Sequence, residues 1–368
     1  MAFNNIYKNK KVLVTGDTGF KGSWLCSWLL ELGANVHGLA KDIPTNPSMF
    51  EAIGLADKIN HQEIDIRNLE QTKNAIHSIK PDFIFHLAAQ AIVSTSYKDP
   101  IETLSTNIMG TAHILEALRS YEKPITVVCI TSDKAYDNVE WIWGYKETDA
   151  VGGKDIYSGS KGGAELVIKS YWHSFLKNQN NIKLGIGRAG NVIGGGDWST
   201  DRIVVDCIKS WQNEMPVELR SPDATRPWQH VLEPLSGYLT LGQLLHESQA
   251  GLNGEAFNFG PKNDQNKTVH CLTVDLAEHW GLDKMKMVKV TDNIPFHEAG
   301  LLKLNCDKAL GILKWQATLD YKTMIGFIVD WYKSFYQKSQ PDVQYNLTIN
   351  QIKNYVAEAT KSGLKWTS

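Results

Sequence analysis

Five residues in one short stretch could do proton chemistry together. Ser132, Asp133 and Lys134 are consecutive, and Tyr157 and Lys161 follow at a spacing that puts a phenol and an ammonium on one face of a helix. A phenol takes a proton from an alcohol near neutral pH only if about 4 kcal/mol of differential stabilisation brings it from about 10 toward 7, and a neighbouring cation supplies much of that. Tyr157 is therefore the candidate base, Lys161 the cation that stabilises its phenolate, and Ser132 the hydrogen-bond partner of the reacting oxygen. The alcohol would become a ketone. Elimination of water beside a new ketone needs a base for the acidified carbon and an acid for the leaving hydroxyl. Asp133 is the candidate acid, which requires it to be protonated with substrate bound, and Lys134 the candidate base. An ionised Asp133 would oppose this division by holding the lysine charged. Taken alone, Tyr-x-x-x-Lys is also ordinary surface chemistry, and Asp-Lys an ordinary strand-end ion pair.

Context comes from a second motif. In Thr15-Gly16-Asp17-Thr18-Gly19-Phe20-Lys21-Gly22 the glycines recur every third residue, between a β-branched run and a helical pattern. Such a loop allows a tight turn, close backbone approach to a pyrophosphate and a helix N-terminus aimed at it, so Gly16, Thr18, Gly19, Phe20, Lys21 and Gly22 are candidate dinucleotide contacts. Asp42 is placed to accept from adenosine ribose hydroxyls, although it and Lys41 also read as solvated loop charges. Asp65 and Ile66 could bracket adenine or cap a turn. Leu87-Ala88-Ala89-Gln90 offers small side chains beneath a cofactor, which tight core packing would equally require.

The elements that must position these groups follow from periodicity. Lys11–Thr15, Asn35–Ala40, the stretch around Ile64, Phe83–Leu87, Ile125–Thr131 and Lys183–Arg188 read as strands. Helical patterns with Trp24, Leu25, Trp28, Leu29 and Leu32, and over 68–78 and 155–176, lie between them. This alternation predicts an α/β, doubly wound parallel sheet of the Rossmann type over 1–190. From 191 to 368 a smaller substrate-binding portion is expected, with 230–262 returning in part to the sheet. Helical patterns fall near 234–246 and 321–334, and 350–368 reads as a polar-faced helix inclined to fray.

Composition excludes other classes. The net charge is −2, from 38 basic and 40 acidic residues spread along the chain, so no basic stripe invites nucleic acid. No apolar run is long enough for a membrane span and residues 1–10 lack a signal core, so a cytoplasmic enzyme is expected. Five cysteines, odd in number and far apart, suggest neither a disulfide framework nor a metal cluster.

With Asn107 in Thr106-Asn107-Ile108-Met109-Gly110-Thr111, the N-terminal half resembles the extended short-chain dehydrogenases/reductases. Further strings extend the likeness nearly end to end. They are Gly19-Phe20-Lys21-Gly22-Ser23-Trp24-Leu25, 44–50 (PTNPSMF), 140–145 (EWIWGY), 190–198 (GNVIGGGDW) and 226–238 (RPWQHVLEPLSGY). They are similar to the sugar-nucleotide 4,6-dehydratases, most of all the branch acting on CDP-glucose. That branch carries lysine where the dTDP-glucose relatives carry a glutamate base, as Lys134 does here.

The resemblance implies NAD as cofactor and Asn107 among its contacts. It also implies CDP-glucose as substrate and a place in 3,6-dideoxyhexose formation for lipopolysaccharide O-antigens. Asn191, Arg202, Arg226 and His297, with Gln90 and Ser132, would line the substrate, arginine suiting a diphosphate through bidentate contacts. The helices over 101–120 and 155–176 would pair two copies into a homo-oligomer, though packing on the sheet explains part of their apolar faces. Trp141, Trp143, Trp198 and Trp228 could stack on base or sugar, but twelve tryptophans in one chain chiefly signal packing, and His230 reads more readily as a core histidine. Two other readings stay open. An epimerase would return hydrogen to C4 and lose no water, and a non-catalytic NAD-binding scaffold would not need Ser132, Tyr157 and Lys161 together.

Overall fold

Strand β1 (Lys11–Thr15) runs straight into the glycine loop, and helix α1 (Phe20–Glu31) leaves it. Four of the five β1 residues are buried, as a strand covered on both faces must be. In the computed structural model, which describes residues 2–219, 221–262, 266–283, 288–290 and 301–368, β1 lies inside a seven-stranded sheet. Its other strands are β2 (Asn35–Ala40), β3 (Asn60–Glu63), β4 (Phe83–His86), β5 (Ile125–Ile130), β6 (Ile182–Ala189) and β7 (Ala256–Phe259). Their order is β7-β6-β5-β4-β1-β2-β3, with every pairing parallel. The order reverses between β1 and β4, which opens a crevice at their carboxyl ends. The expected doubly wound α/β sheet is therefore the fold.

Helices cover both faces. On one side, α2 (Leu69–Ile79), α3 (Thr111–Arg119) and α4 (Ile156–Tyr171) bury a cluster that includes Ile76, Leu115 and Ile168 over Leu13, Ile84 and Val127. On the other, α1 and α5 (Leu232–His246) pack with Trp24, Trp28, Leu235 and Tyr238. Helix α3 continues a run that starts at Pro100 and passes through a π turn over Ser105–Gly110. A π turn inside a helix is a frequent mark of a functional position, and here it carries Asn107.

The last helices correct one expectation. Helix α7 begins at Pro341, well before residue 350, and runs to Lys361 against α6 (Tyr321–Tyr336). Three of its polar residues, Gln344, Thr348 and Gln351, are turned inward. Gln344 and Gln351 donate to the carbonyls of Trp331 and Phe327, and the Trp331 indole donates to Thr348. The chain end is packed against the N-terminal segment: Trp366 stacks on Phe3 at 5.0 Å and the Asn4 amide donates to the Ser368 carbonyl.

One buried ion pair docks α4 onto the sheet. Arg188 of β6 makes a two-pronged contact with Glu165 of α4, at 2.8 and 2.9 Å, and donates to the Tyr136 hydroxyl at 2.7 Å. Both charged side chains are about 5% exposed or less. Removing one partner of such a pair strands the other charge and costs about 3–5 kcal/mol. Glu165→Ala should lower the unfolding free energy by about that amount, read from guanidinium denaturation, and a loss under about 1 kcal/mol would contradict the role given to the pair.

Candidate active site

The crevice is shaped first by glycine. Gly16 has φ +75°, and a Cβ there would sit 2.9 Å from the backbone of Ala88, so the loop and the end of β4 touch main chain to main chain. A Cβ on Gly22 would overlap the Gly16 carbonyl. No side chain caps the N-terminus of α1, whose N–H groups are left for an anion. Thr18 donates to the Asp42 carbonyl at 2.7 Å, tying the loop to the end of β2.

Several expected cofactor contacts are already engaged within the protein. Asp65 receives the Arg67 amide and guanidinium. Ile66 is 4% exposed and lies in the core, where its side chain presses on Gly110. Gln90 donates to Thr103 at 2.8 Å and accepts from the Ile92 amide. Asn107 accepts the Gln90 amide at 2.8 Å, and its own amide donates to the Gln90 carbonyl and to Ser160 Oγ at 2.8 Å. Ser160 in turn donates to the Tyr157 carbonyl at 2.6 Å. Asn107 thus fastens the segment after β4 to the first turn of α4, which makes it a positioning residue for Tyr157.

The proton-handling groups meet at the end of β5. Ser132 is the N-cap of a 3-10 turn over Asp133–Ala135, its hydroxyl accepting the Lys134 amide and donating to Asp133 Oδ1 at 2.9 Å. The Tyr157 hydroxyl lies near enough for Ser132 to act on its proton affinity. Ser132, Asp133, Tyr157 and Lys161 are all buried, whereas Lys134 is half-buried. Asp155 caps α4 through the Ser158 amide and fixes where Tyr157 starts.

The electrostatics differ from expectation at Tyr157. Burial pushes its hydroxyl up to about 12, and the carboxylates of Asp133 and Asp155 add to the rise, against Arg202 and the Ser132 hydrogen bond. The Lys161 ammonium lies over the Tyr157 ring, 6.0 Å from its centroid. Desolvation lowers Lys161 itself to about 8, helped by the positive charge of Lys21. Lys21 is likewise lowered to about 8 by burial and by Arg202, against Asp133 and Asp197. A lysine in the first turn of a helix opposes the helix dipole, and the carboxylates of Asp133 and Asp197 offset this in part by favouring its charge.

Beyond Asp133 opens a small cleft, lined among others by Asn191, Gln229, Asn266 and Lys303. Asn191 has φ +53° and reaches Asp133 Oδ2 at 3.5 Å, while Gly190 leaves room for that carboxylate. Arg202, before the helix over Ile203–Gln212, belongs to the charge field of Tyr157 and Lys21. Arg226 lies in a short strand paired with Asn266–Thr268, next to the cleft residue Pro227. His297 falls outside the described residues. Trp198 and Trp228 are packing residues, at 2% and 6% exposure, while Trp141 and Trp143 face outward. His230 is a core histidine between Trp24 and Phe327, and burial drops it to about 3. Sequence reasoning missed Gln229 and Lys303 as cleft residues. The string Trp228-Gln229-His230 was visible, but nothing in it tells which side chain faces the cleft.

Comparison with known proteins follows the same outline. Residues 13–326 match the family model described as GDP-mannose 4,6 dehydratase. The chain is 47% identical over 339 residues to CDP-glucose 4,6-dehydratase of Salmonella typhimurium, covering 91% of this chain and 94% of that protein. Among solved structures it is similar to UDP-glucose 4-epimerase of Thermotoga maritima, with a TM-score of 0.76 at 22% identity over 89% of this chain and 99% of that one. It is also similar to the dTDP-glucose 4,6-dehydratase DesIV of Streptomyces venezuelae, with a TM-score of 0.75 at 21% identity over 90% and 99%. At these identities the structural likenesses speak for the fold.

Lys161 carries a pH signature. Its proton is held less tightly folded than unfolded, so between about pH 8 and the ordinary lysine value of 10.5 the unfolded chain binds more protons and stability rises with pH. Lys161→Met should remove part of that rise. Denaturation midpoints from pH 8 to 10 check it, and an unchanged slope would contradict the burial assigned to the ammonium.

Proposed function

Because this chain belongs to the GDP-mannose 4,6-dehydratase family, we propose that it is an NAD-dependent lyase that converts CDP-glucose to CDP-4-keto-6-deoxyglucose and water. The observation that carries this reading is that Ser132 donates to Asp133, a residue of the cleft, and also acts on the neighbouring Tyr157 hydroxyl. The carrier rests on the 47% likeness to the Salmonella enzyme.

The glycine cradle fits a dinucleotide: the Gly16–Ala88 contact and the uncapped start of α1 leave room and N–H donors for a pyrophosphate, and Asp42 sits at the end of β2 for a ribose. NAD bound there supplies the two-electron acceptor that oxidises C4 and is restored when C6 is reduced, together with a positively charged ring. The chain's own groups handle the protons. Tyr157 takes the proton of the C4 hydroxyl, and Ser132 steadies that oxygen. Lys134, in its neutral form, takes the proton from C5 once C4 is a ketone. Asp133 gives a proton to the C6 hydroxyl, which leaves as water, and C5 regains a proton when C6 is reduced.

Tyr157 and Asp133 constrain each other. An ionised Asp133 raises the phenol, so a proton passed from Tyr157 through Ser132 to Asp133 makes the phenolate base and the carboxylic acid in one step. Arg202 and Lys161 favour the phenolate by their charge. Asp133→Asn should slow water loss from CDP-glucose by about 10²- to 10⁴-fold, and Tyr157→Phe should stop oxidation as well. Mass spectrometry in D2O separates them, since deuterium enters C5 only after C4 is oxidised. An Asp133→Asn enzyme releasing water at the wild-type rate would refute the assignment.

The same reading includes a homo-oligomer. Ile101 and Met109, on the helical run from Pro100, and Leu166 and Phe175, on α4 and its extension, are exposed large apolar residues on elements that pack side by side. Leu166→Glu should shift light-scattering mass toward the monomer of 41.2 kDa, and an unchanged mass would reject this face. No described helix is long and apolar enough to cross a membrane, and none of the five cysteines is disulfide-bonded. Free thiols and a nucleotide substrate suit the cytoplasm. The keto-deoxysugar suits the 3,6-dideoxyhexoses of lipopolysaccharide O-antigens.

A further inference from the structure

The side-chain amide of Gln229 is held in one orientation beside the cleft. The residue is 1% exposed, and its backbone amide donates to the Asn191 carbonyl at 3.2 Å. Both side-chain N–H groups are used, on the carbonyls of Gly190 at 2.9 Å and Phe259 at 3.0 Å. Carbonyl oxygens only accept, so the amide has one orientation. Its Oε1 is buried and accepts no hydrogen bond from the described residues, although Gln229 lines the cleft that holds Asp133. Asn266, on the same cleft, also has an unpartnered buried carbonyl oxygen.

A buried acceptor left unmade is costly, so what fills the cleft must bring a donor. Phosphate oxygens are acceptors and would be repelled here. Sugar hydroxyls donate. We propose that Gln229 Oε1 accepts a hydrogen bond from a ring hydroxyl at C2 or C3 of the hexosyl group whose C4 and C6 are worked on by Tyr157 and Asp133. Gln229 is then a specificity-determining residue for the hexose. This rests on the dehydratase reading, which places a hexose beside Asp133.

The test compares wild-type enzyme and Gln229→Leu on CDP-glucose and on its 2-deoxy and 3-deoxy analogues. Wild type should lose about tenfold or more in kcat/KM on one of the two analogues, and Gln229→Leu should handle that analogue and the parent alike. A wild type indifferent to both deletions overturns the inference, because the oxygen is then met by water alone. A folded variant that keeps the wild-type discrimination overturns it too. Leucine also removes the two N–H anchors, so Gln229→Met, unbranched and of similar length, is run beside it with thermal melting and NAD affinity as controls. If wild type releases no water from CDP-glucose but does so from another glucose nucleotide, the carrier assignment fails. The deoxy series on that nucleotide still decides the role of Gln229.

Discussion

The buried contact between Arg188 and Glu165 is the constraint on which the site depends. Helix α4 carries Tyr157 and Lys161 in its first two turns, and nothing in helix formation itself determines its rotation against the sheet. A guanidinium held on two carboxylate oxygens determines it, since a pair sealed from water keeps its geometry or loses several kcal/mol. Arg188 also grips the Tyr136 hydroxyl, and Tyr136 follows the turn that carries Asp133 and Lys134. One side chain therefore sets the register between the helix with the phenol and the turn with the acid. Asn107 sets the other coordinate by fastening α4, through Ser160, to the segment after β4. Two polar anchors in an otherwise apolar layer leave α4 one way to lie.

Burial then gives the site its chemistry. Desolvation disfavours every charge in it, raising Tyr157 and lowering Lys161 and Lys21. Cations that shed protons readily and a phenol that keeps its own are poised for transfers among neighbours rather than to water. A surface Tyr-x-x-x-Lys pair would show none of this, because solvent would hold each group at its ordinary value.

Much of the sheet was legible because parallel strands buried on both faces read as unbroken apolar runs. β4 and β5 are buried at every position, and the sequence boundaries miss by a residue or so. The glycine spacing was legible for a related reason, since backbone contact at Gly16 and Gly22 admits no other residue. What stayed hidden depends on pairing between distant segments. Polar Gln344, Thr348 and Gln351 look like a solvent face until α6 supplies their partners. Trp366 looks like a ragged end until Phe3 stacks on it. Ile66 looked available to a ligand, but Gly110 lets it sink into the core. The direction of the Tyr157 shift was also out of reach, because it turns on desolvation in the folded chain.

The cleft itself follows from where the chain leaves the sheet. Asp133 comes after β5, Gly190 and Asn191 after β6, and Gly260 and Pro261 after β7, three neighbouring strands that point the same way. In a parallel sheet the carboxyl ends gather such exits on one edge, so residues far apart in sequence reach one site without any long loop. Gln229 joins them by pairing its short strand with Val192–Ile193 and donating to carbonyls at the ends of β6 and β7. Its amide bridges two of these exits. The segment around Gln229 is thereby bonded to strand ends that neighbour the one carrying Asp133, and a shift of one would displace the other.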